Sequence, residues 1–125
     1  MEKKIILTTA APAPIGPYSQ AVLTGNTLYC SGQIAMKPDG SLVTDSIEAE
    51  AKQVMQNIGE LLKAAQMDYS HIVKTSIFLT DMNDFTRVNT VYAGFFTSDF
   101  PARETVQVSA LPKGVHVEIS VTAMK

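Results

Sequence analysis

The sequence predicts an α+β fold, one sheet with two helices on one of its faces. Three observations predict it. Residues 45–65 place Ile47, Ala51, Val54, Ile58, Leu61 and Ala65 at steps of four and three, the apolar stripe of an amphipathic helix. Residues 84–97 repeat that pattern with Phe85, Val88, Tyr92 and Phe95. The other regular segments are short β-branched runs separated by turn residues, which gives the order β-β-β-α-β-α-β-β. A chain of 125 residues holds all of this as a single domain, residues 1–125.

Taken in order, residues 3–7 are apolar and β-branched and form a first strand. Thr8 to Pro17 follows, where Pro12, Pro14 and Pro17 forbid a regular helix; it is either a linker or an ordered loop carrying Tyr18. Residues 19–24 and 27–33 flank Gly25-Asn26 and read as a hairpin. Lys37-Pro38-Asp39-Gly40 is a turn in which proline presets φ. The first helix starts at Asp45 as N-cap, with Glu48 completing a capping box. Residues 71–80 form a strand with Val73, Ile77 and Leu79 on one face and Ile72 and Phe78 on the other, so it is either central in the sheet or covered on both sides. The second helix is capped by Asn83 or Asp84, and Phe100-Pro101 ends that segment. Two strands, 103–110 and 115–123, then form a last hairpin around Leu111-Pro112-Lys113-Gly114. Pairing Ala110 with Val115 superposes the two apolar faces and points Arg103, Thr105 and Glu118 the same way.

Composition bounds the function. Hydrophobic residues make up 46% and charged residues 18%, an ordinary globular balance. The charge is low for the large surface of a small domain, so part of that surface is expected to lie against another copy of the chain. A net charge of −2 gives no basic footprint, and nucleic acid is not expected as a partner. No apolar run approaches the ~20 residues of a membrane span. The apolar stretch behind Lys3-Lys4 is too short for a signal peptide, which predicts a cytoplasmic protein. The single Cys30 excludes an internal disulfide and a site of several thiolates.

Few residues are candidates for chemistry. The Arg103 guanidinium can grip a carboxylate with two parallel hydrogen bonds, and Glu118 can exchange protons if burial raises its pKa toward neutrality. The same two residues also fit a plain solvated polar face. Cys30 as nucleophile would need a neighbouring base, and nothing places His71 or His116 beside it, so an inert buried thiol is the stronger reading. Two isolated histidines without an acidic cluster predict no metal site. Ser31 is not in a Gly-x-Ser-x-Gly elbow, yet its hydroxyl and the Gly32 N–H can orient a small ligand. Tyr18 offers a phenolic hydroxyl or simply packs.

Several spaced motifs together resemble one family. Ile15-Gly16-Pro17-Tyr18-Ser19-Gln20-Ala21, Ser31-Gly32-Gln33-Ile34, Asn83-Asp84-Phe85 with Val88-Asn89 and Tyr92, Pro101-Ala102-Arg103 with Val106, Leu111-Pro112 and Val117-Glu118-Ile119 follow, in order, the pattern of the Rid family of YjgF type. The resemblance spans essentially the whole chain. It implies a chorismate-mutase-like α+β fold with a mixed sheet of about six strands, a homotrimer, and ligand clefts between subunits. It implies hydrolytic deamination of reactive enamines and imines (2-aminoacrylate, 2-iminobutyrate) to 2-keto acids and ammonia, sparing pyridoxal-phosphate enzymes, with no metal or organic cofactor. Residue by residue, it implies that Arg103 binds the substrate carboxylate and that Glu118 positions water and assists proton transfer. Tyr18, Ser31 and Gly32 fall on pocket positions, and Phe85 and Asn89 line the cleft from a neighbour. Thr105 departs from the pattern, where other members carry Cys and its backbone carbonyl holds the attacking water; a backbone role survives the change. The alternative is a non-catalytic 2-keto-acid binder or regulatory protein that uses the same cleft.

Overall fold

The computed structural model describes residues 2–125. It contains strands β1 (Lys3–Ile6), β2 (Ala21–Thr24) and β3 (Thr27–Gln33), helix α1 (Ile47–Ala64), strand β4 (Ile72–Leu79), helix α2 (Phe85–Ala93), and strands β5 (Ala102–Gln107) and β6 (Val117–Met124). The strands form one mixed sheet in the order β1-β2-β3-β6-β4-β5, as the predicted α+β class requires. β4 and β5 run parallel, with α2 as their crossover, and every other neighbouring pair is antiparallel.

Apolar burial explains the layering. Val54, Met55, Ile58, Leu61 and Leu62 of α1 are fully buried, as are Leu28, Ile77, Leu79, Val117, Ile119 and Ala123 of the sheet. Val88 and Tyr92 of α2 join the same core. Removing any one of the large aliphatic side chains would cost about 2–5 kcal/mol. The hairpin around Gly25-Asn26 forms as the sequence predicts, with Thr24 opposite Thr27 and Gly25 at φ 59°.

Four expectations need correction. The last hairpin does not exist: β5 pairs only with β4, and β6 lies between β3 and β4. Neither Ala110 nor Val115 belongs to a strand, so they do not pair. The alternation gives the faces of β6, where Val117, Ile119 and Val121 are buried, but it inverts those of β5, where Val106 is exposed and Arg103 and Thr105 lie on the core side; α2 carries β5 to the far side of β4. Secondly, Ser46, not Asp45, caps α1: its side chain accepts from Ala49 N at 3.0 Å, so the Asp45–Glu48 capping box does not form. Two good capping residues stand side by side, and the chain takes the second. Thirdly, Asp84 occupies the N-cap of α2 without a side-chain cap bond, because a 3₁₀ turn over Met82–Asp84, itself capped by Asp81, leads into the helix. Fourthly, a register shift between Ile72 and Lys74 pushes Val73 outward, so Ile72 joins the core face with Thr75, Ile77 and Leu79.

Candidate active site

The strand register decides which candidate residues can meet. Arg103 pairs with Thr75 and Thr105 with Ile77, and both partners are fully buried against the helices. Arg103 and Thr105 therefore point to the helix side. Glu118 pairs with Phe78, one step out of phase with Ile119 and Ile77, so it points to the opposite face. Within one chain, Arg103 and Glu118 lie on opposite faces of the sheet, and the expectation that they point the same way fails. That expectation rested on the hairpin that does not form.

On the helix side, Arg103 is held in place before any ligand arrives. Its Nη1 donates to Asn89 Oδ1 at 2.6 Å. Its guanidinium carbon lies 5.6 Å from the Phe85 ring centroid and 5.2 Å from that of Tyr92. Tyr92 is itself fixed by a buried hydrogen bond from its hydroxyl to Thr75 Oγ1 at 2.9 Å. Burial pushes the Tyr92 pKa up, against the Thr75 hydrogen bond and the Arg103 charge. Asn89, Tyr92 and Arg103 line a cleft of about 440 Å³ together with Phe100 and Pro101. Thr105 Oγ1 is buried without a hydrogen-bond partner, the one such side-chain atom among the described residues. Phe85, Asn89 and Arg103 are thus brought together with Thr105 on the same face of β5, and Tyr92, known from the sequence only as a helix-stripe and motif residue, joins them.

On the other face, Tyr18, Ser31, Gly32 and Glu118 share a cleft of about 510 Å³ with the Pro12–Ile15 loop and Lys113. A β-bulge makes it. Cys30 pairs with Val121 and Gln33 with Ile119, so Ser31 and Gly32 together face one residue of β6. The bulge brings Gly32 against Glu118: a Cβ there would lie 2.8 Å from Glu118 Cδ. Burial raises the Glu118 pKa. The Ser31 hydroxyl donates to Ser19 O at 2.6 Å, which leaves its lone pairs for a ligand. The Tyr18 oxygen accepts from Ile15 N at 3.2 Å, so its own proton is free to be donated.

The loop from Thr8 to Pro17 is ordered rather than a linker, and Gln20 orders it. This fully buried amide accepts from Thr8 N at 2.8 Å and donates to Thr8 O at 3.0 Å and Pro12 O at 2.8 Å. Nothing in the sequence marked Gln20 beyond its place in the Tyr18 motif. Cys30 is buried, its thiol pushed up to about 12 by that burial. His71 closes a local turn with Asp68 and has no place in either cleft. No cluster of three or more His, Cys, Asp or Glu stands together among the described residues. No helix of the described residues is long and apolar enough to cross a membrane.

The family model described as Endoribonuclease L-PSP matches residues 8–125. This chain belongs to the Endoribonuclease L-PSP family. Two relatives of this L-PSP chain are named 2-iminobutanoate/2-iminopropanoate deaminase. That of Homo sapiens is 51% identical and that of Bos taurus 54% identical, each over 124 residues that cover 98% of this chain and 90% of the relative. The crystal structure of YyfA from Yersinia pestis, described as a protein of the conserved Rid family, superposes with a TM-score of 0.96 at 49% identity. It covers 99% of the L-PSP chain and 100% of YyfA. The Rid resemblance read from the motifs and the α+β fold it implied both hold.

Proposed function

We propose that the protein hydrolyses 2-imino acids, and the enamines that tautomerise to them, to 2-keto acids and ammonia. The two clefts are halves of one site, and a second copy of the chain brings Arg103 of one subunit to Glu118 of the next. The assembly that closes every site in this way is a cytoplasmic homotrimer, with small imino acids such as 2-iminobutyrate and 2-iminopropionate (from 2-aminoacrylate) as substrates.

The observation that carries the reading is the Arg103 anchor. Asn89 and two rings hold the guanidinium while its other N–H groups remain available. A planar fork fixed in advance suits a planar α-carboxylate and leaves little orientational entropy to lose on binding. Water then adds to C2 of the C=N bond. Glu118, whose buried carboxyl keeps its proton to higher pH than an ordinary one, shuttles a proton from the adding water to the nitrogen. As the carbinolamine collapses, its hydroxyl proton passes by way of Glu118 to the nitrogen, which leaves with its bonding pair as ammonia, and the 2-keto acid remains. The Tyr18 hydroxyl, the Ser31 lone pairs and the Thr105 position are the remaining polar groups for substrate and water. No step needs a metal or organic cofactor. The names carried by relatives at about half identity support the same chemistry.

The test couples the purified protein to an enzymatic source of 2-iminobutyrate and follows imine loss. The expected result is imine loss faster than in buffer; loss at the buffer rate would overturn the assignment and leave a ligand binder. Mixing inactive Arg103→Ala with inactive Glu118→Ala subunits should restore turnover at clefts that take one intact half from each. No recovery in proven mixed oligomers would overturn the shared site.

A further inference from the structure

One buried carboxylate plays no part in the chemistry above. Glu50 lies on α1 one residue before the apolar stripe position Ala51 and is almost wholly buried at 1% exposure. Both its oxygens go to one residue. Oε1 accepts from the His116 backbone N–H at 3.0 Å, and Oε2 accepts from His116 Nδ1 at 2.6 Å. The sequence suggested an exposed strand residue at 116, but His116 stands just ahead of β6 with its ring half-exposed and tied inward. Burying a carboxylate is costly unless its hydrogen bonds are met, so Glu50, the one charged residue on a buried side of α1 whose only other polar member is Asn57, calls for a reason.

The reason lies in what His116 joins. On one side is the 3₁₀ turn Pro112–Gly114, and on the other, two residues on, is Glu118. Pro112, Lys113 and Glu118 all line the same cleft. Lys113 sits at φ 58°, a left-handed conformation that a lysine holds only when its flanks are pinned. Between the turn and β6 the backbone has few holds: Val115 N donates to Pro112 O at 3.3 Å, Thr80 N donates to His116 O at 3.2 Å, and Glu50 takes the His116 N–H. Glu50 supplies the two shortest hydrogen bonds on this arm, and it does so from a helix packed in the core.

We propose that Glu50 is a positioning residue for the Glu118 half of the site, acting through His116 to fix the arm that carries Lys113 and Glu118 against Gly32. Its catalytic consequence rests on the deaminase reading. Its structural consequence does not. The carboxylate keeps the arm closed, and a closed arm keeps water from Glu118; Lys113 and Tyr18 are the other titratable groups that share this cleft.

The experiment compares wild type, Glu50→Ala, Glu50→Gln and His116→Ala as full-length assembled proteins. The first readout, without substrate, is the titration of the Glu118 carboxyl by carbon-13 NMR. The second is kcat and KM with 2-iminobutyrate. In Glu50→Ala the Glu118 midpoint should fall toward the ordinary carboxylate range. Its kcat should fall at least about tenfold while KM stays within about twofold, because the Arg103 anchor is on the other sheet face. Glu50→Gln should recover both, since the amide oxygen still accepts the backbone N–H and its NH₂ can donate to the other imidazole tautomer. His116→Ala keeps the backbone bond and should shift both readouts part of the way; it carries the test if Glu50→Ala does not fold. A folded Glu50→Ala, or in its place His116→Ala, with the wild-type Glu118 midpoint and kcat would overturn the proposal. So would a kcat loss that only tracks the folded fraction while the midpoint stays put. If the wild type shows no turnover, the deaminase reading fails and the Glu118 midpoint alone decides the role of Glu50.

Discussion

The two clefts are built by different means. Around Arg103, regular structure does the work: β5 presents the cation, α2 presents Asn89, Phe85 and Tyr92, and the Thr75 hydroxyl on the neighbouring strand holds the ring beneath. Around Glu118, irregular structure does it: a bulge, a proline-rich loop and a 3₁₀ turn, held by two buried polar side chains, Gln20 and Glu50. The first half resembles a piece of core with one charge exposed. The second resembles a set of loops tied to a frame. A rigid anchor is suited to binding, and a carboxylate set among loops can have its solvation tuned by small movements.

The largest expected effect falls on the anchor. Arg103→Ala should lower kcat/KM by on the order of 10²–10³-fold, the range for removing one partner of a desolvated charge pair. Its oligomer should survive, as checked by light scattering. Near-normal turnover would break the comparison at its stronger side. Next comes the bulge: Gly32→Ala sets a methyl group against the Glu118 carboxylate. It should cost both stability and activity, and the stability cost should shrink when Glu118→Ala is added. Additive costs in that double-mutant cycle would mean the two residues do not touch.

A subtler prediction concerns pH. Burial raises the Glu118 pKa above its unfolded value, so what the folded state gains from the protonated form is fully present below the unfolded pKa. It is lost as pH rises through the folded pKa. Melting curves of wild type and Glu118→Gln should therefore diverge with rising pH across that window, with the variant the more stable above it. Parallel curves would show that Glu118 is solvated in the assembled protein. Tyr92→Phe should cost about 1 kcal/mol of stability, since it strands the buried Thr75 hydroxyl, and raise KM more than it lowers kcat. The smallest effect belongs to Cys30. With its thiol pushed up to about 12, a thiol-reactive dye at pH 7.5 should label only unfolded protein.

How much of this was legible follows from what each pattern encodes. The stripe from Ile47 to Leu61 reports a helix because 3.6-residue spacing is local, and Gly25-Asn26 reports a hairpin because the turn is local too. The alternation in β6 correctly reports which residues are inward, whereas in β5 the apolar Val106 faces out and Arg103 and Thr105 face the helices. It does not report that β4 lies between them, because strand partners are set by packing across the whole sheet. Arg103 and Glu118 were therefore picked out as residues but not as occupants of opposite faces. Gln20 shows only as a member of the Tyr18 motif and Glu50 not at all, since a polar residue reads as surface unless its bonding partners, 8 to 66 residues away, are known.

The hold on the proline-rich loop has a practical consequence. Gln20 grips only main-chain atoms, those of Thr8, Ala11 and Pro12. The side chains that the loop shows to the cleft, Pro12, Ala13 and Ile15 among them, bear none of that grip. The segment is in effect an exchangeable cassette. A designer can rewrite the wall that a substrate side chain would meet, one residue at a time, while the Gln20 amide and the Tyr18 hydroxyl keep the main chain in place.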